Sequence, residues 1–400
     1  MERNGKGGII HLIERYSLSC GVKIGEPYIY DKFFPLTSDK YITIHTSSRQ
    51  AKNYDYWQEV IDILLPILQK VGISIVQVGS KDDKLLNFVY QTVGQTNINQ
   101  VAYIVRHAAL HLGTDSFPVH LASFYDIPIV ALYANTYAAC SRPYWGTKTK
   151  QVILEPDRKN RKPSFSFDEN PKTINSIYPE VIAKKVCDLL GLNFTYEYKT
   201  LFIGQNFGSI LVEIIPNSTF PMVNINTDTM IIRMDFHFDE SVLSNYLNSS
   251  KCVIVTNRPI SPQVLVQFKE RIVEIHYNIT KEHNPQFVYF LQTLGIKCSI
   301  HTYLPEAEID KLKLDYMDFG IIVRLPSEIP EAIINKENLY YKSSKFTFHT
   351  NQVFPSYYAF LQNLPIGGVC NHLCPVPSLE SKYYGDFWKE QRHIRIVEKV

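Results

Sequence analysis

The sequence predicts an α/β protein of two domains, each a parallel sheet flanked by helices. Three observations carry this. Its 400 residues exceed one ordinary core and fit two domains of common size. Short β-branched runs alternate with amphipathic helical patterns, as they do where crossover helices link parallel strands. The composition, 45% hydrophobic and 20% charged, is that of a folded water-soluble chain.

Residues 1–40 read as a lead-in segment. Tyr41-Ile-Thr-Ile-His45 then alternates as a strand should, and a polar loop, Thr46 to Asn53, follows it. Trp57, Val60, Ile61, Leu64, Leu65 and Leu68 share one helical face, which Gly72 closes. Ile73 to Val78 is a second strand, Val101 to Leu110 a helix, and His111-Leu-Gly113 a short strand. Thr114 or Asp115 then caps a helix through Val119–Phe124, ended by Asp126-Ile-Pro128, before the buried strand Ile129–Tyr133. A polar stretch from Asp157 to Pro163 is a surface loop, and a helix spans Pro179–Leu190. Residues 41–195 thus form the first domain.

The second domain, 200–330, has strands at Ile210–Ile215, Met230–Met234, Cys252–Thr256, Ile272–His276, Lys297–His301 and Phe319–Val323. Helical runs at Ser241–Leu247, Pro262–Glu270 and Pro285–Leu294 separate several of them. Residues 331–400 read as a C-terminal extension packing on the domains.

Composition also excludes some roles. With 41 basic and 39 acidic residues, charge makes no case for a polyanionic partner. No window approaches eighteen apolar residues, so no transmembrane segment is expected. The start, Met1 to Ser17, lacks the apolar core and cleavage site of a signal peptide. Seven scattered cysteines suit a reducing compartment, so the expected location is cytoplasmic.

The run His111 to His120 carries the functional argument. A helix that starts directly after a parallel strand turns its free N–H groups toward the crevice beyond the strand's carboxyl end. Those amides and the helix dipole favour a phosphate. Ser116 adds a hydroxyl, and His120 lies one turn further in. Capping chemistry alone accounts for the same residues as an N-cap followed by a core histidine.

The segment Asp115-Ser116-Phe117-Pro118-Val119-His120-Leu121-Ala122, with Pro128, Val130 and Leu132-Tyr133, resembles the donor-domain signature of glycosyltransferase family 9, the ADP-heptose:lipopolysaccharide heptosyltransferase group. The likeness extends over residues 9–195, from His11-Leu-Ile-Glu-Arg15 through Gln77-Val-Gly79-Ser80 to the helix at Pro179. It implies two Rossmann-like domains in a GT-B-like arrangement. It also implies transfer of a sugar from a nucleotide diphosphate sugar to a saccharide or other hydroxyl acceptor. The transfer would invert the anomeric centre and use neither metal nor cofactor, the nucleotide sugar being a substrate. On this resemblance Thr46, Ser47 and Lys52 bind phosphates, and Gly79 and Ser80 border the nucleotide. Thr114, Asp115 and Ser116 hold the pyrophosphate, and His120 supports a phosphate or the ribose. The sequence departs from the pattern twice: Phe117 replaces the glycine after Asp-Ser, and Ala134-Asn135 replaces the glycine after the last strand.

In that family the acceptor domain comes first, whereas here a second α/β block follows. The halves are permuted, or an unrelated domain is appended. For permutation, Leu201-Phe-Ile-Gly-Gln-Asn-Phe-Gly208 resembles the family's opening strand and glycine loop. Ser209 then stands where the family has its aspartate base. The densest acid–base group nearby is Asp235, His237, Asp239 and Glu240, with Asp235 and His237 as the catalytic candidates. A strand continuing that far would put Asp235, His237 and Asp239 on one face, while a strand end running into a helix cap explains them equally.

Cys370-Asn-His-Leu-Cys374 lacks a second ligand pair for a metal. The basic loop Arg158–Lys162 is the one hint of a nucleic-acid acceptor, and solvated loop charge also explains it. The aromatic tail (Tyr340, Tyr341, Phe354, Tyr357, Tyr358, Phe360) fits core packing as well as sugar stacking. Besides a glycosyltransferase, the residues fit a non-catalytic protein that keeps the donor-domain fold, or a sugar transferase acting on modified nucleic-acid bases.

Overall fold

A computed structural model of the chain describes residues 9–217, 229–281, 283–319, 322–324, 333, 336–366, 373–382 and 384–400. The chain divides into two units, 1–198 and 199–400. Among the described residues no helix is long and apolar enough to cross a membrane.

In the first unit six short strands form one parallel sheet: β1 (Tyr41–His45), β2 (Ser74–Gln77), β3 (Tyr90–Gln91), β4 (His111–Thr114), β5 (Ile129–Leu132) and β6 (Gln151–Leu154). The order across the sheet is β3-β2-β1-β4-β5-β6. It reverses between β1 and β4, and ligands of open α/β sheets gather at such a switch point. Between these strands run α2 (Trp57–Gln69), α3 (Ile98–Arg106), α4 (Phe117–Phe124) and α5 (Ala138–Ser141), and α6 (Pro179–Leu190) follows. The lead-in segment holds a further helix, α1 (Leu12–Cys20), all of whose side chains stay at least partly exposed.

Local chemistry accounts for these elements. The apolar face of α2 buries Trp57, Val60, Ile61, Leu64 and Leu68. A reciprocal capping box between Asn97 and Gln100 starts α3. That helix stops at Arg106, short of Leu110, because Ala109 N–H already pairs with Tyr41 O and Thr43 N–H with Leu110 O. Likewise α4 is capped at Ser116, not at Thr114 or Asp115, because Thr114 is still the last residue of β4.

The second unit has an eight-stranded sheet. Its members are β8 (Leu211–Ile214), β9 (Thr229–Arg233), β10 (Cys252–Thr256), β11 (Ile272–Ile279), β12 (Cys298–Thr302) and β13 (Ile322–Arg324), then β15 (Lys345–His349) and β16 (Gln352–Phe354). The order is β13-β12-β11-β10-β9-β8-β15-β16, all parallel except the β15–β16 hairpin. Strands β8 to β13 therefore follow chain order with no reversal, unlike the first sheet. Helices α7 (Glu240–Ser249), α8 (Pro262–Phe268), α9 (Pro285–Thr293) and α10 (Glu306–Asp315) connect them. Val212, Ile214, Ile232, Ile254, Ile275 and Ile300 pack in one core with Leu243, Leu265, Leu291 and Leu312 of those helices. The alternate positions of these strands are mixed: Leu211, Ile231, Val253 and Val255 form a second, smaller apolar cluster, beside the polar Glu213, Arg233, Glu274, His276, Ser299 and His301.

A small sheet of order β17-β14-β18-β7 completes the unit, from β7 (Tyr198–Ile203), β14 (Leu339–Ser343), β17 (Cys374–Pro375) and β18 (Ile394–Lys399). Two expectations change here. The segment 331–400, expected to pack on the domains, supplies strands to both sheets of this unit. And Leu201–Ile203 lies in the small sheet, so it does not open the parallel one. Ser209 thus loses its assigned correspondence to a catalytic aspartate.

Candidate functional site

The donor-side residues expected from the sequence come from three segments at the carboxyl edge of the first sheet. Lys52 ends a short helical turn, Gln50–Lys52, in the loop after β1. Its ammonium reaches Asp115 Oδ2 at 2.5 Å. His120 Nε2 approaches Asp115 Oδ1 at 3.7 Å from one turn into α4. Ser141 Oγ donates to Asp115 Oδ2 at 3.3 Å, and Ser48 Oγ to the Asp115 carbonyl at 3.1 Å. Asp115 is only 7% exposed. Burial by itself would raise its pKa, but the nearby His120 imidazole and the Lys52 ammonium outweigh it and hold the carboxyl below its usual value.

Beside this group, Ser116 is the N-cap of α4 yet makes no capping bond. Its hydroxyl lies 2.9 Å from His45 Nδ1 and 3.1 Å from Thr114 O. His45, the last residue of β1, turns its other nitrogen toward Asp83 Oδ2 at 3.6 Å. The backbone N–H and hydroxyl of Ser80 both donate to the Asp83 carboxylate, at 3.0 and 2.7 Å. A Cβ on Gly79 would overlap Asp83 Oδ2, so the glycine makes room for that carboxylate. Gly79 and Ser80 therefore join the site by orienting Asp83.

Thr46 is buried, with its hydroxyl 3.5 Å from Gln77 Nε2. Ser47 is half-buried in the same loop. Thr114 is fully buried, and its hydroxyl has no hydrogen-bond partner among the described residues. Pro118 takes one amide out of the first turn of α4, and Val119 N–H is bonded to Ser116 O. The helix N-terminus thus offers fewer free amides than its position suggests, and side chains supply most of the polar groups. Phe117 stands 44% exposed at the first helical position.

Sequence reading missed His45, Asp83, Ser48 and Ser141. His45 was legible in principle, since the last residue of a parallel strand at a switch point faces the ligand crevice. Asp83 and Ser141 carried no signal, because loop paths alone bring them in.

The catalytic candidates lie in the second unit. Strand β9 ends at Arg233, and Asp235 and His237 fall in the turn that follows. Asp239 caps α7, accepting from Ser241 and Val242 N–H. The single face expected for Asp235, His237 and Asp239 does not form, because strand periodicity stops before them. Arg233 grips Asp235 with a fork, Nε to Oδ1 and Nη2 to Oδ2, each at 2.8 Å, and Asn278 donates to Oδ2 at 3.0 Å. Arg233 Nη1 also binds Glu213 at 2.8 Å, and Lys345 bridges Glu213 and Glu390 at 2.9 Å each. His237 is exposed. Asp235 is thus a fixed carboxylate within a buried network, and His237 an accessible imidazole two residues on.

Cys370, Asn371 and His372 lie outside the described residues. In the basic loop Arg158 turns inward, donating to the carbonyls of Ala134 at 2.7 Å and Thr136 at 3.2 Å and to Glu155 at 3.1 Å. This removes the main cation from the hint of a nucleic-acid acceptor. Of the tail aromatics, Tyr341, Phe354 and Tyr358 are buried as core.

Residues 22–169 match the model of glycosyltransferase family 9 (heptosyltransferase). Every donor-side residue named above lies inside that stretch, and the second unit lies outside it. No curated protein matches the chain. Among solved structures, ADP-heptose LPS heptosyltransferase II of Escherichia coli aligns at 15% identity over 44% of this chain and 50% of its own, with a TM-score of 0.32. A family 9 glycosyl transferase from Veillonella parvula aligns at 19% identity over 44% and 50%, TM-score 0.31. The iron-containing dodecameric glycosyltransferase TibC of enterotoxigenic E. coli aligns at 16% identity over 43% and 50%, TM-score 0.33. The chain thus spans about half the length of these solved structures.

Proposed function

We propose that the chain is a glycosyltransferase whose first unit holds a nucleotide diphosphate sugar at the carboxyl edge of its sheet. The observation that carries this is the convergence of Lys52, Asp115, His120 and the His45–Ser116 pair at the switch point, within the stretch matched by the family model. Such a crevice suits a diphosphate. Lys52 supplies positive charge, His120 an imidazole N–H, Ser47 and Ser116 supply hydroxyl donors, and Asp115 keeps Lys52 and His120 in place until a ligand competes for them. As the sugar–phosphate bond breaks, these groups stabilise the charge growing on the leaving diphosphate. No metal is needed for that step, and a single displacement inverts the anomeric centre.

The acceptor in this proposal is a hydroxyl of a saccharide. Acid–base chemistry is assigned to Asp235, which takes the acceptor proton once that hydroxyl displaces the Asn278 amide from Oδ2. His237 is the exposed second group of the same turn. The test is a transfer and hydrolysis assay with ADP-, UDP-, GDP- and CMP-sugars, paired with calorimetric nucleotide binding. Binding with turnover supports the proposal. Binding without turnover supports a nucleotide-binding protein that lacks transfer, and absence of both rejects the donor site.

A further inference from the structure

The fixed charges that meet in the donor crevice do not by themselves suit an anion. Lys52 faces Asp115, and Asp83 stands behind His45, so one cation is set against two carboxylates. A dianionic diphosphate entering there needs a further positive charge.

Arg49 stands where that charge is needed. It precedes the short turn Gln50–Lys52, and Lys52 N–H bonds to Arg49 O at 2.8 Å. Positions i and i+3 of such a turn line up on one side. Arg49 therefore leaves the turn on the side from which Lys52 reaches Asp115. Ser48, directly before it, already touches the Asp115 carbonyl. The Arg49 side chain is exposed, and its guanidinium has no carboxylate partner among the described residues.

An aromatic ring from a second segment holds that guanidinium. Arg49 Cζ lies 4.0 Å from the centre of the Phe167 ring. Phe167 belongs to a strap, residues 163–169, that is tied down twice. On one side Phe165 N–H donates to Asn135 O and Asn135 Nδ2 to Ser166 O, both at 2.8 Å. On the other, Ala51 N–H donates to Phe167 O at 3.0 Å and Glu169 N–H to Gln50 Oε1 at 2.8 Å. Asn135 follows β5 and Ala51 follows β1, and β4 lies between those strands in the sheet. The strap thus crosses the carboxyl end of β4, where Asp115 and Ser116 stand. Its anchors keep Phe165 in the left-handed region at φ 55°, a costly shape for phenylalanine, and leave Phe167 61% exposed at the rim.

We infer that Arg49 is a further diphosphate ligand of the donor site and that Phe167 is its positioning residue. A guanidinium stacked on a ring keeps its edge N–H groups free, and their fork matches two phosphate oxygens. The stack also restricts the side chain beforehand, so less freedom is lost when a phosphate arrives. With Arg49 counted, two cations balance the two carboxylates before the ligand enters. The inference rests on the donor-site reading, but it concerns a residue which that reading does not use.

The experiment is calorimetry of the full chain with ADP, UDP, GDP and inorganic pyrophosphate. Arg49→Ala should weaken all four by about tenfold or more and by a common factor, since the contact is to the shared diphosphate. Its unfolding midpoint should not move, because the side chain is exposed. Phe167→Leu should weaken binding by a smaller factor, and Phe167→Tyr, which keeps the ring, should restore it. In the Arg49→Ala background Phe167→Leu should have no further effect. Unchanged affinity in Arg49→Ala, or a loss that depends on the base or spares pyrophosphate, overturns Arg49 as a diphosphate ligand and leaves the donor site standing. Equal losses from Phe167→Leu with and without Arg49 overturn the positioning role. Failure of all four probes to bind the wild-type chain overturns the donor site and the inference together.

Discussion

Lys52 and Asp115 lie 63 positions apart in the chain and meet at 2.5 Å across the carboxyl edge of the first sheet. The pair is largely withdrawn from solvent, Asp115 being 7% and Lys52 19% exposed on their side chains. Removing one partner leaves the other uncompensated, and breaking such a buried pair costs about 3–5 kcal/mol. Lys52→Ala should therefore destabilise the first unit and weaken nucleotide binding by about tenfold or more, the equivalent of about 1.4 kcal/mol. Adding Asp115→Asn should restore stability but not affinity. Calorimetry and thermal unfolding check both, and equal affinity for the Lys52→Ala and wild-type chains would remove Lys52 from the site.

The glycines of this edge separate affinity from stability. A Cβ at Gly79 meets the far end of the Asp83 side chain, which can swing away. Gly79→Ala should keep the fold but unhook Asp83 from His45, so its effect falls on nucleotide affinity. At Gly113 a Cβ would lie 2.9 Å from the backbone oxygen of His45, which has no such freedom. Gly113→Ala should cost about 1–3 kcal/mol of stability through strain. Equal unfolding midpoints for the two variants would contradict this contrast.

These two cases also show what the sequence made legible. The first sheet's strands and helices follow from runs such as Tyr41–His45 and the Trp57–Leu68 face, whose periodicity is local. The donor loops followed from residue types beside those elements. Asp83 and Ser141 stayed hidden because their approach depends on loop paths, which no local pattern encodes. In the second unit the strands from β8 to β12 were legible as apolar alternation. The buried ionic network was less so, because Glu213, Arg233 and Lys345 become meaningful only when β8, β9 and β15 lie side by side. Asp235 was singled out as part of the densest acid–base group near Ser209; the shared strand face does not form, and what fixes the residue is the Arg233 fork.

The pH dependence of stability should be set on the acid side by buried histidines. His111 is completely buried, and burial, with His45 as the smaller cause, pushes its pKa down to about 3. Its Nδ1 lies 2.9 Å from Thr43 Oγ1. Below about 6.5 the unfolded chain takes up a proton that the folded chain refuses. Stability therefore falls as pH drops from about 6.5 toward 3, by about 1.4 kcal/mol per pH unit for one such group. Asp115 acts in a lower window: its depressed pKa contributes stability above the ordinary carboxylate range, lost as pH falls through the folded value. Hydrogen exchange of the β4 amides at pH 7, 6 and 5 reads the first unit alone. Protection that does not change over that range would refute the assignment, and His111→Gln should flatten the slope.

The Arg233 fork makes the last prediction sharp, because it separates charge from geometry at Asp235. Asp235→Asn keeps the shape and can still accept from Arg233 Nε, but it loses the negative charge that pairs with the guanidinium. It also loses the capacity to take a proton. If Asp235 is the acid–base group, this variant should lose turnover by about 100-fold or more, in line with general-base catalysis. Calorimetric nucleotide affinity should stay unchanged, since the donor residues belong to the other unit. Asn278→Ala removes the neutral contact on Oδ2 and leaves the charge pair, so it should preserve turnover or raise it by freeing that oxygen. Full activity in Asp235→Asn would exclude the residue as base. Loss of turnover in Asn278→Ala equal to that in Asp235→Asn would instead show that the network acts only as a structural unit.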